Sequence, residues 1–147
     1  MSSEQQRLTV SVVIATKDRP HLIAGLFEAL AIQTLPPDEV VVVDNNSRAS
    51  YASVFDAFRA RLPLHTFVET TPGIPAARNR GVRESRHQII AFADDDCVPE
   101  PDWLEKLTEP FYRDPHIGAV GGTTSNYGSS DTLIERYYRA DRGAMES

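Results

Sequence analysis

Residues 8–122 predict an α/β domain, a mostly parallel sheet with helices on both faces. Three observations carry that prediction. Runs of β-branched residues recur, apolar on both sides of the pleat, as strands covered on both faces must be. Between them lie segments whose apolar residues fall at three- and four-residue spacing, the mark of a helix with one buried face. Polar turn-forming stretches then follow the β-branched runs.

LTVSVVIA (8–15) is the first strand, and it ends at the polar TKDRP. Pro20 then opens a helix on which Leu22, Leu26, Ala29, Leu30 and Gln33 form a stripe toward the sheet, and TLPPDE breaks it. EVVVVD (39–44) is the second strand, DNNS a turn, and YASVFDAFRARL a second helix with Val54, Phe55 and Phe58 inward. LHTFVET (64–70) alternates less cleanly and suits an edge strand. A Pro/Gly loop enters a short helix near Pro75, HQIIAFAD (87–94) is the next buried strand, and Pro101 to about Tyr112 is a helix. IGAVGG (117–122) predicts a short further strand, and TLIERYYRADRG (132–143) a final helix.

A chain of 147 residues with 41% hydrophobic content is sized for one globular core. Residues 1–7 read as a disordered leading tail, 8–122 as the domain, and 123–147 as an incomplete C-terminal region that is disordered or packs in an oligomer. The net charge of −6 argues against a surface made for nucleic-acid phosphates or anionic lipid. Any anion must be held locally. The single cysteine, Cys97, excludes an internal disulfide framework, fits a reducing cytoplasm, and reads as a small buried apolar residue. No secretory leader is evident, and no apolar run approaches the roughly 18 residues a membrane span needs. A soluble cytoplasmic protein is expected.

In open α/β sheets ligands bind beyond the carboxyl ends of strands, near the point where strand order reverses. If the chain winds outward as 3-2-1 and the fourth strand returns beside the first, the loops after strands one, two and four converge. They carry Thr16-Lys17-Asp18, Asp44-Asn45-Asn46-Ser47 and Asp94-Asp95-Asp96. Three adjacent carboxylates at a buried strand end repel one another unless a cation shares the site. A hard divalent ion such as Mn2+ or Mg2+ suits carboxylate oxygens, and a phosphate ester suits the ion. The plain alternative is a loop and helix N-cap, both of which favour aspartate. Asp44 reads either as a turn residue or as the acceptor for a nucleobase N–H. Thr16 and Lys17 read either as base or phosphate ligands or as the start of the first helix. Arg78, Asn79 and Arg80 follow PGIPAA at a helix start, where free N–H groups favour anions, although such runs also form solvated faces.

Taken together, VSVVIATKDRP, the LFEALAIQTLPPDEVVVVDNNS segment, PGIPAARNRGV and QIIAFADDDCVPEPDWLEKL resemble the family 2 glycosyltransferases, from about Val10 to Gly122. The resemblance implies a GT-A fold, whose Rossmann-like half binds a nucleotide sugar. It implies that Thr16 and Asp44 lie at the nucleobase of a nucleoside diphosphate sugar, uridine type first, with Arg78 near base and diphosphate, and Lys17 and Asn46 in the same loops are counted as substrate-binding. Asp94 and Asp95 would approach ribose and sugar, and Asp96 would coordinate Mn2+ or Mg2+ through the DxD motif. The implied reaction is metal-dependent transfer of the sugar, with inversion, to an acceptor hydroxyl that the motifs do not identify. The general base of such an enzyme belongs to a second half after the last strand read here. Asp131, Glu135 and Asp141 stand in no family-like setting, so the chain is expected to be part of a longer enzyme or a shortened, non-catalytic nucleotide-sugar module. A phosphoacceptor signalling domain also gathers aspartates at a strand-end rim, but no lysine ends a late strand here. GxGxxG and P-loop motifs are absent, which disfavours hydride transfer and ATP hydrolysis.

Overall fold

The computed structural model of the chain describes residues 6–124. Strands and helices alternate as β1 (Val10–Thr16), α1 (Pro20–Ala31), β2 (Glu39–Asp44), α2 (Ala52–Phe58), β3 (Leu64–Val68), α3 (Ile74–Glu84), β4 (Ile89–Asp94) and α4 (Trp103–Arg113). The sheet order is β3-β2-β1-β4, and every pairing is parallel. The outward winding and return expected from the sequence are therefore present, and β3 lies at an edge. Thr16 pairs with Asp44 and Ala15 with Asp94, so the three polar loops leave the sheet nearly level.

The pleat divides the apolar runs between two layers. Val10, Val12, Ile14, Val40 and Val42 face α1, α2 and α4, where Leu26, Phe27, Leu30, Phe55, Phe58 and Leu104 complete the larger core. Phe27 meets the Phe58 ring edge-on at 5.3 Å. Full burial of a side chain of this size contributes roughly 1.5–3 kcal/mol. On the other face Val13, Val41 and Val43 meet Ala77 of α3. This layer is thinner because Gly81 of α3 rests directly on the sheet. A Cβ there would stand 2.3 Å from Val13 Cγ1.

Pro20 occupies the first turn of α1, where its missing N–H costs nothing. Gln33 is not on the helical stripe but just beyond the helix, buried. Its amide donates to the carbonyls of Ala29 (3.1 Å) and Glu100 (2.7 Å), and its Oε1 accepts from Leu104 N–H (3.1 Å). A polar side chain at a helix end is tolerated in the core because both amide hydrogens and the carbonyl oxygen have partners.

Residues 117–122 form no strand. Ile117 N–H bonds locally to Asp114 C=O, and no packing atom lies within 4 Å of a Cβ position at Gly118, Gly121 or Gly122. A glycine-rich run with no neighbouring ladder gains neither hydrogen bonds nor packing from being extended. Cys97 is half-buried rather than buried, because it sits in the turn after β4 and not in the strand. The expected helix at 132–143, with Asp131, Glu135 and Asp141, and residues 1–5 of the expected tail lie outside the described residues. Among the described residues no helix is long and apolar enough to cross a membrane.

Candidate functional site

At the carboxyl ends of β1, β2 and β4 the side chains form a connected set. β4 ends at Asp94, and Asp95 and Asp96 form a tight turn closed by the Cys97 N–H to Asp94 C=O hydrogen bond (3.1 Å). Ala91 and Asp95 are buried while Phe92, Asp94 and Asp96 are exposed. The strand end and the turn together point one carboxylate inward and leave two outward, which separates like charge.

The buried Asp95 is the junction of the set. Its Oδ2 accepts from the Thr16 hydroxyl at 2.7 Å, and its Oδ1 lies 3.5 Å from the Arg19 guanidinium. Since the Thr16 proton is committed to Asp95, the Tyr51 hydroxyl donates to Thr16 Oγ1 (2.8 Å) and itself accepts from Arg19 N–H (2.9 Å). Tyr51, just before α2, thereby fixes the β1–α1 loop. The Arg19 guanidinium also lies 3.6 Å from Asp96 Oδ2, and Arg78 on α3 bonds Asp94 Oδ1 at 2.7 Å.

The loops after β1 and β2 are interlocked mainly through backbone groups. Asp44 Oδ1 accepts from Ser47 N–H (2.9 Å), and Ser47 Oγ accepts from Asp18 N–H (2.8 Å). Asp18 Oδ1 in turn accepts from the N–H groups of Arg48 (2.7 Å) and Ala49 (3.0 Å). These two backbone donors, Ala49 first, hold the Asp18 carboxyl below its ordinary value of 3.8. Asp18 and Asn46 have φ of 52° and 56°, a left-handed conformation that Asp and Asn accept more readily than most residues. Buried Asn45 ties this loop to the segment entering α3. Its amide donates to Glu69 C=O (3.0 Å) and Thr71 C=O (2.8 Å), and its Oδ1 accepts from Gly73 N–H (3.0 Å).

A cleft of about 300 Å³ opens between β1 and the first turn of α3, bordered by Thr16, Lys17, Arg19, Asn45, Gly73 and Ala77. Ligand clefts begin near this size. A second hollow of about 290 Å³ beside α1 is bordered by Ala29, Ile32, Val98 and the acidic Glu28 and Glu100. It offers an anion nothing.

Of the sequence-predicted site residues, Thr16 and Lys17 border the cleft, and Asp95 is joined to Thr16 beneath it. Asp44 is half-buried with one oxygen in its turn, Asn46 is exposed, and Arg78, Asp94 and Asp96 are exposed on the rim. Three further residues of the set, Arg19, Asn45 and Tyr51, escape the sequence reading. Asn45 carried a signal within DNNS, but Tyr51 looked like the first residue of a helix.

Ligand atoms of Asp94, Asp96 and Cys97 lie within 4.8 Å of one another. Burial, then the charge of Asp94, pushes the Cys97 thiol up, so it is protonated at neutral pH. The usable donors are two exposed carboxylates, which suits a hard divalent cation that takes its remaining ligands from water and phosphate. The residues fit such an ion.

The family model described as Glycosyl transferase family 2 matches residues 11–143. A glucosyl-dolichyl phosphate glucuronosyltransferase from Haloferax volcanii is 32% identical over 120 residues, covering 79% of this chain and 38% of the relative. Glycosyltransferase AglE of the same organism is 33% identical over 133 residues, covering 87% of this chain and 43% of the relative. Among solved structures, mannosyltransferase PcManGT from Pyrobaculum calidifontis, in complex with GDP-Man and Mn2+, is 28% identical. It superposes with a TM-score of 0.70 over 78% of this chain and 35% of its own. S. aureus TarS 1-349, in complex with UDP-GlcNAc, is 24% identical with a TM-score of 0.63, over 72% of this chain and 32% of its own, a likeness of fold alone. The chain spans about two fifths of the length of these curated relatives.

Proposed function

Because the chain belongs to glycosyltransferase family 2, we propose that it is the donor-binding part of an enzyme that moves a sugar from a nucleoside diphosphate sugar to an acceptor hydroxyl, with inversion. One observation carries the reading. The Thr16–Asp95 hydrogen bond of 2.7 Å joins the ends of β1 and β4 beneath the cleft, while Asp94 and Asp96 stand outward on the same rim.

The nucleoside, of the uridine type first, would enter between the Thr16-Lys17 loop and the first turn of α3. The second oxygen of Asp44 would accept from a base N–H, which rejects bases lacking that donor. Asn46 and Lys17 would border base and phosphate, and the free N–H groups and positive dipole at the start of α3 favour the diphosphate beside Arg78. Asp95, already committed to Thr16 and Arg19, would act by holding both loops in place beneath ribose and sugar. Asp94 and Asp96 would hold Mn2+ or Mg2+, which when bound neutralises charge gathering on the departing nucleoside diphosphate. No described residue is assigned to the acceptor or its proton. The free thiol of Cys97 suits a reducing, cytoplasmic setting.

Calorimetry with UDP and GDP, with and without Mn2+, tests this. Binding should need the cation, and Asp96→Ala should weaken it about 100-fold with an unchanged melting profile, as loss of a charged ligand contact predicts. Equal affinity in wild type and variant would count against the assignment. Donor hydrolysis on the same preparation separates a catalytic chain from a binding module.

A further inference from the structure

The two outward carboxylates of the rim each already face an arginine. Arg78 NH2 bonds Asp94 Oδ1 at 2.7 Å, and Arg19 NH1 lies 3.6 Å from Asp96 Oδ2 and 3.5 Å from Asp95 Oδ1. The two arginines come from different elements, α3 and the β1–α1 loop, and those are the elements that border the cleft. Arg19 contrasts with its surroundings in how it is held. Its backbone N–H is fixed at 2.9 Å by buried Tyr51, yet its guanidinium is 45% exposed and sits beyond hydrogen-bond range of both carboxylates. The root of the side chain is anchored and its head is free to move. The Arg19–Asp96 pair, about half exposed at both ends, is weak and easily exchanged.

We propose that Arg19 is a diphosphate-binding residue that Asp96 holds until a divalent cation takes its place there. The inference rests on the donor-binding reading of the same rim. A cation and the guanidiniums compete for the same oxygens of Asp94 and Asp96. When the cation takes those oxygens, Arg78 loses its counter-charge and Arg19 loses part of its own, keeping only Asp95 at 3.5 Å. A diphosphate supplies what is lost, and the planar guanidinium fork matches phosphate oxygens in pairs. Cation and nucleoside diphosphate therefore bind with positive coupling, and the coupling is reciprocal. Lys17, exposed in the same loop, makes no close ion pair with a carboxylate among the described residues and contributes charge without the exchange.

The test is Arg19→Gln in the full chain. Free Mn2+ is followed by electron paramagnetic resonance without nucleotide, and UDP binding by calorimetry at saturating Mn2+. Removing the competing cation should tighten Mn2+ binding alone about two- to fivefold, the weight of a half-exposed ion pair. Losing the guanidinium should weaken UDP binding about tenfold in the presence of Mn2+. The opposite signs are diagnostic, since a merely structural defect would weaken both, and Arg19→Lys should restore part of the UDP affinity. If wild type shows Mn2+-dependent UDP binding but the variant leaves Mn2+ affinity unchanged or lowers it, Arg19 has no such role and the donor-binding reading stands. If wild type shows no Mn2+-dependent UDP binding, that reading fails and takes this inference with it.

Discussion

On the β1–β2 side of the rim, Asp18, Asn45, Ser47 and Tyr51 are joined to backbone and hydroxyl groups at 2.7–3.0 Å, with Asn45 and Tyr51 buried. The β4 side is organised differently. Apart from the buried Thr16–Asp95 bond, its carboxylates are held by guanidiniums that are nearly half exposed. The first arrangement loses a satisfied buried group if Asn45 or Tyr51 moves. The second exchanges partners at little cost. A surface that must recognise a fixed ring is served by the former, and one that must admit mobile ions by the latter.

The sharpest way to break this comparison is Asn45→Ala. It leaves two carbonyls and the Gly73 N–H without their amide, and should lower unfolding free energy by about 2–3 kcal/mol in urea titration. A loss near zero would mean that side is no more fixed than the other. Tyr51→Phe removes only the hydroxyl between Thr16 and Arg19 N–H and should cost about 1 kcal/mol, unaffected by added salt. Arg78→Gln should have the smallest effect on stability, below about 0.5 kcal/mol, and the difference should vanish in about 1 M salt because an exposed pair is screened. A salt-insensitive loss there would place Arg78 with the fixed half.

Much of the fold was legible because the strands announce themselves chemically. VSVVI and EVVVV are apolar on both pleat faces, and their polar successors fall where the strand-end rule expects a site. The same rule brought Thr16, Asp44 and Asp94–Asp96 to one rim before any coordinates. A turn after β4 could have been read from the aspartates themselves, though not which of them it carries inward. Tyr51 and Arg19 could not. Their roles come from bonds to each other and to Thr16, across 32 and 35 residues of chain, which no local pattern records. IGAVGG failed for a related reason, because composition can favour an extended backbone but only a neighbouring strand makes it a ladder.

Gly81 lies about two turns along α3 from Gly73 at the cleft, yet it is the gauge for the cleft. Hydrogen is the only substituent that lets α3 ride so near Val13, and the opposite end of that same rigid rod carries Gly73 and Ala77 against β1. A single methyl inserted there would lift the rod and widen the slot without touching its lining. In the proposed donor site, the grip on a flat ring would then be decided by a residue that never meets it.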